Sequence, residues 1–527
     1  MTAPLFIGID VGSSSTKVGV YDQRFRELGA ARVAYRPSQP RAGVAEYDPD
    51  ELYASVLEAV RDATHREGVV PTQIEAICVD AMISGGMGID AHWRPTVPYT
   101  TTLDTRFSAQ LDRALLTNGR EIRRLTGSGQ PTIGPKIAWI RQTQPEAYAR
   151  TAKFLTIGGY VVGKLASLSL EDALIDPTQL WASGLSDTAA LRWSTDLCNS
   201  VDVSHDRLPR IVESATVVGG LGSEAAAATG LRTGIPVLAG MGDQSAGFLG
   251  AAIITPNDMA DVAGTYPIIA LCTDTFRPDL KRQAVEVVAA ALPGRWYLLS
   301  LIVGGGLTTQ WFQETFAHVE RTDDLGRDGA TAFDMLEEGA AALPAGSDRL
   351  LFVPHLGGQA CPPRSNCRGM WIGFTWTHRR EHFYRAVLEA VAYDQYLAFE
   401  SMRIAYPDIN PRDILVYGGG SHSRLWNQIK ADVMGVPYVR SARDEVATLG
   451  CALLAAYATG AIPDLGSAAT AISIREERYE PSARLHEVYA EYAHLYADLL
   501  QGTDRYYTRL AGLPSESRHQ ADALDGG

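Results

Sequence analysis

Three places in this 527-residue chain gather the residue types that handle phosphate. In the first, Asp10 is followed by Gly12, Ser13, Ser14, Ser15 and Thr16. A turn opened by glycine and filled with hydroxyls can offer amides and hydroxyls to phosphate oxygens, and an acid just before it can hold a hydrated magnesium ion. The second is Gly264-Thr265, and the third is Gly418, Gly419, Gly420 and Ser421, where a nucleoside could approach the main chain closely. Between them lies Asp243, preceded by Gly240-Met241-Gly242. Moving a phosphoryl group needs donors around the phosphates, a cation across their oxygens and an acid that orients the attacking hydroxyl. Asp243 is the candidate for that acid. An acid at this position could equally cap the small-residue helix that follows, and the Gly12 turn by itself could be an ordinary hairpin.

The elements that must carry these residues are legible from their patterns. Residues 5–11 are apolar and β-prone, and residues 17–21 resume as a strand, so the Gly12 turn is a hairpin tip. Helical spacing over 49–67 and an apolar strand at 74–80 continue an α/β alternation. Residues 236–242 read as a strand running into a helix through Ala252. Residues 259–271 repeat the first hairpin as strand, acid, small turn and strand, a trace of internal duplication. Residues 414–417 form a strand entering the glycine run, and a helix follows through Trp426, Ile429 and Val433. The spacing over 385–403 predicts a long core helix, and 515–527 a loose tail. His378 and His382 have the spacing of metal ligands on a helix but no third ligand, and read as surface histidines; Lys164 and Arg424 read as surface charges.

The bulk properties narrow the class of partner. The length argues for two large domains, and 46% hydrophobic with 20% charged residues is the composition of a globular protein. A net charge of -14 with scattered Lys and Arg leaves no basic face for nucleic acid or an anionic membrane, which points to a small ligand. Six dispersed cysteines without a Cys-x-x-Cys pair read as reduced thiols in a cytoplasmic protein. No export signal or run of 18 apolar residues is present.

These motifs resemble the FGGY carbohydrate kinase family from about Phe6 to about Leu499. Residues 8–22, GIDVGSSSTKVGVYD, are similar to its N-terminal phosphate motif, and 238–253, LAGMGDQSAGFLGAAI, to the segment bearing its catalytic aspartate, which falls on Asp243. Lys136 and Trp139 resemble its Lys-x-x-Trp helix, and residues 367–375 with 385–389 its second-domain signature. Residues 418–456 are similar to its adenosine-binding segment. The resemblance implies two actin-like, ribonuclease-H-like α/β domains around a cleft: residues 1–255 with the sugar and the catalytic acid, 256–500 with ATP, and a tail over 501–527. It implies ATP contacts at Gly12, Ser13, Ser14, Ser15, Thr265, Gly306, Gln310, Gly419, Gly420 and Ser423. Asp10 and Asp243 would hold Mg2+, and Ser84, Gly85, Asp104, Asp243 and Gln244 would meet the acceptor. A homodimer is compatible with it.

Departures cluster on the sugar side. Ile83-Ser84-Gly85 stands where xylulokinases carry Met-His-Gly, Gly358-Gln359-Ala360-Cys361-Pro362 replaces Gly-Glu-Arg-x-Pro, and Thr102 replaces the tryptophan two residues before Asp104. The implied reaction is phosphorylation of a small sugar, a ketopentose of the xylulose or ribulose type, with a glycerol- or erythritol-type polyol as the alternative. Asp104 could instead be a solvated loop carboxylate paired with Arg106. A non-enzymatic actin-like ATP-binding protein and a silent sugar sensor are the rival classes; Asp243 with Lys136 and Trp139 weighs against the first, and the set Asp10, Asp243 and Thr265 against the second.

Overall fold

A computed structural model of the chain describes residues 3–316 and 332–513. The first strand, β1 (Leu5–Val11), is buried along its whole length, as an apolar run without alternation requires when both faces of a sheet are covered. It pairs antiparallel with β2 (Ser15–Tyr21), which pairs with β3 (Glu27–Ala34). Helix α1 (Pro49–Thr64) starts at Asp48, whose carboxylate takes the Asp50 amide, and lays Leu52, Val56, Ala59 and Val60 against the same core as Ile7 and Ile9. It ends three residues short of the helical spacing. Strand β4 (Ile74–Ala81) runs parallel to β1 and places Asp80 opposite Asp10. Strands β5 (Gly86–Ile89) and β6 (Pro95–Thr100) belong to a small neighbouring sheet, followed by α2 (Ser108–Thr126) and α3 (Ile133–Thr143). Strands β7 (Val217–Gly220), β8 (Pro236–Leu238) and β9 (Met241–Gly242) complete the first seven-stranded sheet, in the order β7-β8-β4-β1-β2-β3 with β9 on β4. Helix α4 (Asp243–Gly250) leaves directly from β9.

The second half repeats the arrangement. Strand β10 (Met259–Val262) is antiparallel to β11 (Ile268–Thr273), as β1 is to β2. After β12 (Glu286–Ala289), β13 (Trp296–Leu301), α5 (Gly305–Phe316) and α6 (Arg380–Ala405), strand β14 (Ile414–Tyr417) runs parallel to β10, as β4 does to β1. Helix α7 (Arg424–Met434), β15 (Tyr438–Ser441), α8 (Ala447–Ala458), β16 (Arg475–Tyr479) and α9 (Ala483–Ala511) follow. The second sheet is β12-β13-β11-β10-β14-β15-β16. The two sheets are the mixed α/β pair expected of duplicated actin-like domains.

Helix α8 joins the halves. It comes from the second half of the chain but packs on the face of the first sheet that carries Phe6, Ala76 and Cys78. A Cβ on Gly8 would lie 1.9 Å from the Thr448 carbonyl oxygen, so β1 accepts this helix only through a glycine. Where α8 crosses α4, Cβ atoms on Gly250 and Gly450 would each lie 2.0 Å from a main-chain oxygen of the other helix.

Several expectations change. Asp261, the acid of the second hairpin, is fully buried and bound by Lys430 at 2.6 Å and Gln395 at 2.9 Å, so it serves the core of its own domain. His382 is buried rather than superficial: its Nδ1 accepts the Arg379 amide at the start of α6 and its Nε2 faces Asp348 at 3.1 Å. The segment read as a tail from 501 opens as the last turns of α9, which bury Tyr507. The tail over 515–527 lies outside the described residues.

Candidate active site

Three adjacent strand ends deliver three carboxylates. Asp10 on β1 faces Asp80 on β4 across the parallel register, and β9, paired with Asp80 and Ala81, delivers Asp243 as the first residue of α4. Asp10 projects to the side covered by α4 and α8, since it alternates with Ile9 and Val11 in the opposite core. Burial raises the carboxyl of Asp243 to about 7, helped by the charge of Asp10 and opposed by the Gln244 amide, which donates to Asp243 Oδ1 at 2.7 Å. Burial also raises Asp10, against the favourable charge of Lys17 at 3.7 Å. Asp80 is fully buried and held well above the usual carboxylate range by burial and then by Asp10 and Asp243; its Oδ2 accepts from the Cys451 thiol at 3.3 Å. Asp80 was not singled out in the sequence, where its one signal is an acid closing an apolar strand.

Asp243 is not the cap residue of α4, a position that Gly242 holds without a side chain. The carboxylate opens instead onto a cavity of about 240 Å³. Asp10, Lys17, Asp243 and Gln244 line it from the first half, and Tyr417, Asp444, Glu445 and Thr448 from the second. Lys17 crosses this cleft to Glu445 at 3.0 Å. The Gln244 amide oxygen is buried and has no hydrogen-bond partner among the described residues.

On the first-half wall, the Gly12 turn is pinned from below: Tyr35 donates to the Gly12 carbonyl at 2.6 Å and Tyr47 to the Ser13 carbonyl at 2.9 Å. Ser13 and Ser14 are exposed at the tip. The hydroxyls of Ser15 and Thr16 are not: both open β2, a strand covered on its two faces, so Ser15 is buried and accepts from Arg32 while Thr16, on the opposite face, bonds Ser55. On the second-half wall, three segments converge. The Gly306 amide donates to the Thr265 carbonyl, the Gly420 amide to the Ala263 carbonyl, and a Cβ on Gly306 would lie 2.1 Å from the Gly264 oxygen. Gly264 and Gly419 face open space, and Gly418 adopts φ 89°, a turn that glycine makes at little cost. Gln310 is exposed on α5 and bonds Glu314. Ser423 is a helix cap: its hydroxyl is buried, accepts the Trp426 amide of α7 and bonds Glu337, so it presents no free hydroxyl.

The acceptor side is more changed. The turn holding Ser84 and Gly85 lies beside Gly242, where a Cβ would meet Ile83 at 2.5 Å. Gly85 is fixed by packing, since a side chain there would collide with the Tyr99 hydroxyl. Asp104 is neither solvated nor free: it is buried, accepts the Ala45 amide and is gripped by Arg106, which also binds Glu46. These bonds anchor the loop after β6. No group of three or more His, Cys, Asp or Glu is placed to hold a metal ion among the described residues. Asp10 and Asp243 are two carboxylates on one cavity, which suits Mg2+, an ion that keeps waters and substrate phosphates as its other ligands.

The family models decide what this cleft belongs to. Residues 5–250 match the N-terminal domain of the FGGY family of carbohydrate kinases, and 267–459 match its C-terminal domain. The chain belongs to that family. This FGGY kinase is 26% identical over 509 residues to the xylulose kinase of Bacillus subtilis, covering 96% of the chain and 98% of the relative. It superimposes on the crystal structure of gluconate kinase from Lactobacillus acidophilus with a TM-score of 0.87 at 23% identity, covering 97% of this chain and all of that one. Plasmodium falciparum glycerol kinase with ADP gives 0.83 at 19% identity, covering 94% and 98%. The three relatives are named for a ketose, an aldonate and a polyol, so the family fixes a sugar kinase and leaves the acceptor open. No described helix is long and apolar enough to cross a membrane.

Proposed function

We propose that this kinase transfers the γ-phosphoryl group of ATP to a hydroxyl of a small neutral open-chain sugar, a ketopentose of the xylulose or ribulose type. The observation that carries the reading is Asp243, a half-buried carboxylate raised to about 7 by burial and the charge of Asp10, opening onto a cavity shared by the two halves. Its ionised form accepts the proton of the acceptor hydroxyl as that oxygen bonds to the γ-phosphorus and the bond to the β-phosphate bridge breaks, releasing ADP. The amides of the Gly12 turn and the open glycines Gly264 and Gly419 would receive the triphosphate and nucleoside, and Thr265 and Gly306 frame that wall. Asp10 and Asp243 would hold Mg2+, which when bound offsets the charge of the phosphate oxygens. Of the features assigned to ATP, the Ser15 and Ser423 hydroxyls are left out because other partners occupy them.

Charge selects the acceptor class. The cavity wall carries four carboxylates, Asp10, Asp243, Asp444 and Glu445, against one cation, Lys17, which two of them already engage. An aldonate would add a further negative charge there. A neutral ketose fits, as the likeness to xylulose kinase over nearly the full length suggests, and a neutral polyol is the second reading. Coupled ADP release over pentuloses, hexuloses, polyols and aldonates tests this. Preference for a pentulose is the expected result, and preference for an aldonate would refute the charge argument.

A further inference from the structure

Lys136 lies on the first turn of α3 with 2% of its surface exposed. Its ammonium donates to three main-chain oxygens: Thr100 at 2.6 Å, Thr101 at 3.0 Å and Ser84 at 3.3 Å. Among the described residues no carboxylate bonds it, since Asp104 is occupied by Arg106 and the Ala45 amide. The other fully buried lysine makes the contrast: Lys430 is neutralised by Asp261 at 2.6 Å, as a purely structural buried charge normally is. Lys136 instead uses each of its three protons on a different carbonyl.

Those carbonyls belong to two segments that lead into paired strands, Gly86 standing opposite Thr100, and that lie beside Asp243. Ser84 is in the turn packed on Gly242, and holds a left-handed φ of 67° that a residue with a side chain adopts at a cost. Thr100 and Thr101 end β6, next to Tyr99, whose hydroxyl reaches the Met82 carbonyl at 3.2 Å. Helix α3 is itself fastened to the turn Pro177–Ala182, because the Thr132 and Gly134 amides donate to the Ala182 and Ser183 carbonyls. From the same turn, Thr178 Oγ1 accepts the Gly242 amide at 2.7 Å. One rigid unit therefore holds Gly242 at one end and the Lys136 ammonium at the other.

We propose that Lys136 is a positioning residue for the phosphoryl acceptor: its buried ammonium ties the Ser84 turn to the end of β6 and so keeps the acceptor wall at a fixed distance from Asp243. This rests on the reading that the acceptor lies against Ser84. Burial pushes the Lys136 amine down to about 7; of the charged groups facing it, Asp104 favours its charge and Arg106 opposes it. Above that pH the amine keeps two N–H donors for three oxygens, and the wall loosens.

Lys136→Met tests the role, with Lys136→Gln, which keeps two N–H donors, as the milder variant. Amide hydrogen exchange should quicken about tenfold or more at residues 84–86 and 100–102 while 177–182 stays unchanged. The acceptor KM should rise about tenfold or more with the KM for ATP within about twofold, and Lys136→Gln should fall between. In the unmodified enzyme the acceptor KM should climb between pH 6 and pH 9 and the KM for ATP should not, a result that stands even if the methionine variant does not fold. Unchanged exchange, or equal rises in both KM values, would overturn the role of Lys136. Faster exchange with an unchanged acceptor KM would instead overturn the placing of the acceptor against Ser84.

Discussion

Asp243 carries two opposed forecasts at the scale of single residues. As a base it must be ionised and aimed at the acceptor; as a local brace it need only accept the Gln244 amide. Asparagine keeps that acceptor oxygen and the shape but cannot take a proton. Asp243→Asn should therefore lower turnover by roughly 10² to 10⁴-fold with a melting temperature no lower than before, since the raised carboxyl is costly to ionise in the folded state. Near-normal turnover would leave Asp243 a structural residue. The pH profile follows with its sign: the group is raised, so its carboxyl is protonated and idle below about 7, and turnover falls as pH falls through that region. Bound Mg2+ beside it would move this acid limb lower. Asp80 differs in kind, because it is sealed beneath Asp10 with its proton retained by burial and by two negative neighbours.

Among the elements, α8 has the most to lose from a small change. It lies on β1 through Gly8 and crosses α4 through Gly250 and Gly450, so the floor under Asp10 and the helix that begins with Asp243 are held by one backbone contact. A methyl group at Gly450 would come 2.0 Å from the Ala246 carbonyl, a rigid atom that cannot turn aside. Gly450→Ala should cost about 1 to 3 kcal/mol in a urea titration, despite alanine's higher helix propensity. Activity should fall further than in a variant equally destabilised at a distance, because α4 and α8 must separate to accommodate it. A gain in stability would show that the crossing is looser than these distances imply.

For the molecule as a whole, the halves are joined at a second place, far along the chain from α8. Arg123 on α2 and Glu286 on β12 form a buried pair at 3.0 Å, Glu286 also takes the Gly129 amide, and the Val287 amide donates to the Gly127 carbonyl at 2.9 Å. Removing one member leaves the other charge buried without its partner, which costs more than the pair itself contributes. Arg123→Met should lose about 3 to 5 kcal/mol, and adding Glu286→Gln should recover much of it. Equal losses in the single and double variants would mean that packing, rather than charge, joins the halves here.

Read alone, the amino-acid sequence determined the alternation of strands and helices, the duplicated hairpins, the family and the order of the glycine-rich turns. These are local facts: an apolar run such as 5–11 or a glycine turn such as 12–16 has its preference wherever it is placed. It also marked Asp243 and Asp10 through motif and strand end. Tertiary structure decided what each polar group does. Asp104 and Ser423 matched ligand positions in sequence, yet Arg106 and the amide of Trp426 engage them first. Ser15 lies in the glycine turn in sequence but is the first residue of β2, buried with its hydroxyl accepting from Arg32. Lys136 was marked only through the Lys-x-x-Trp resemblance and Asp80 only as an acid closing a strand, since their partners lie far away in sequence and are carbonyls or other acids. A hydrogen bond or a shifted carboxyl depends on which atoms lie within about 3 Å and how much water is shut out. Only the packing of the two sheets around α4 and α8 sets those quantities.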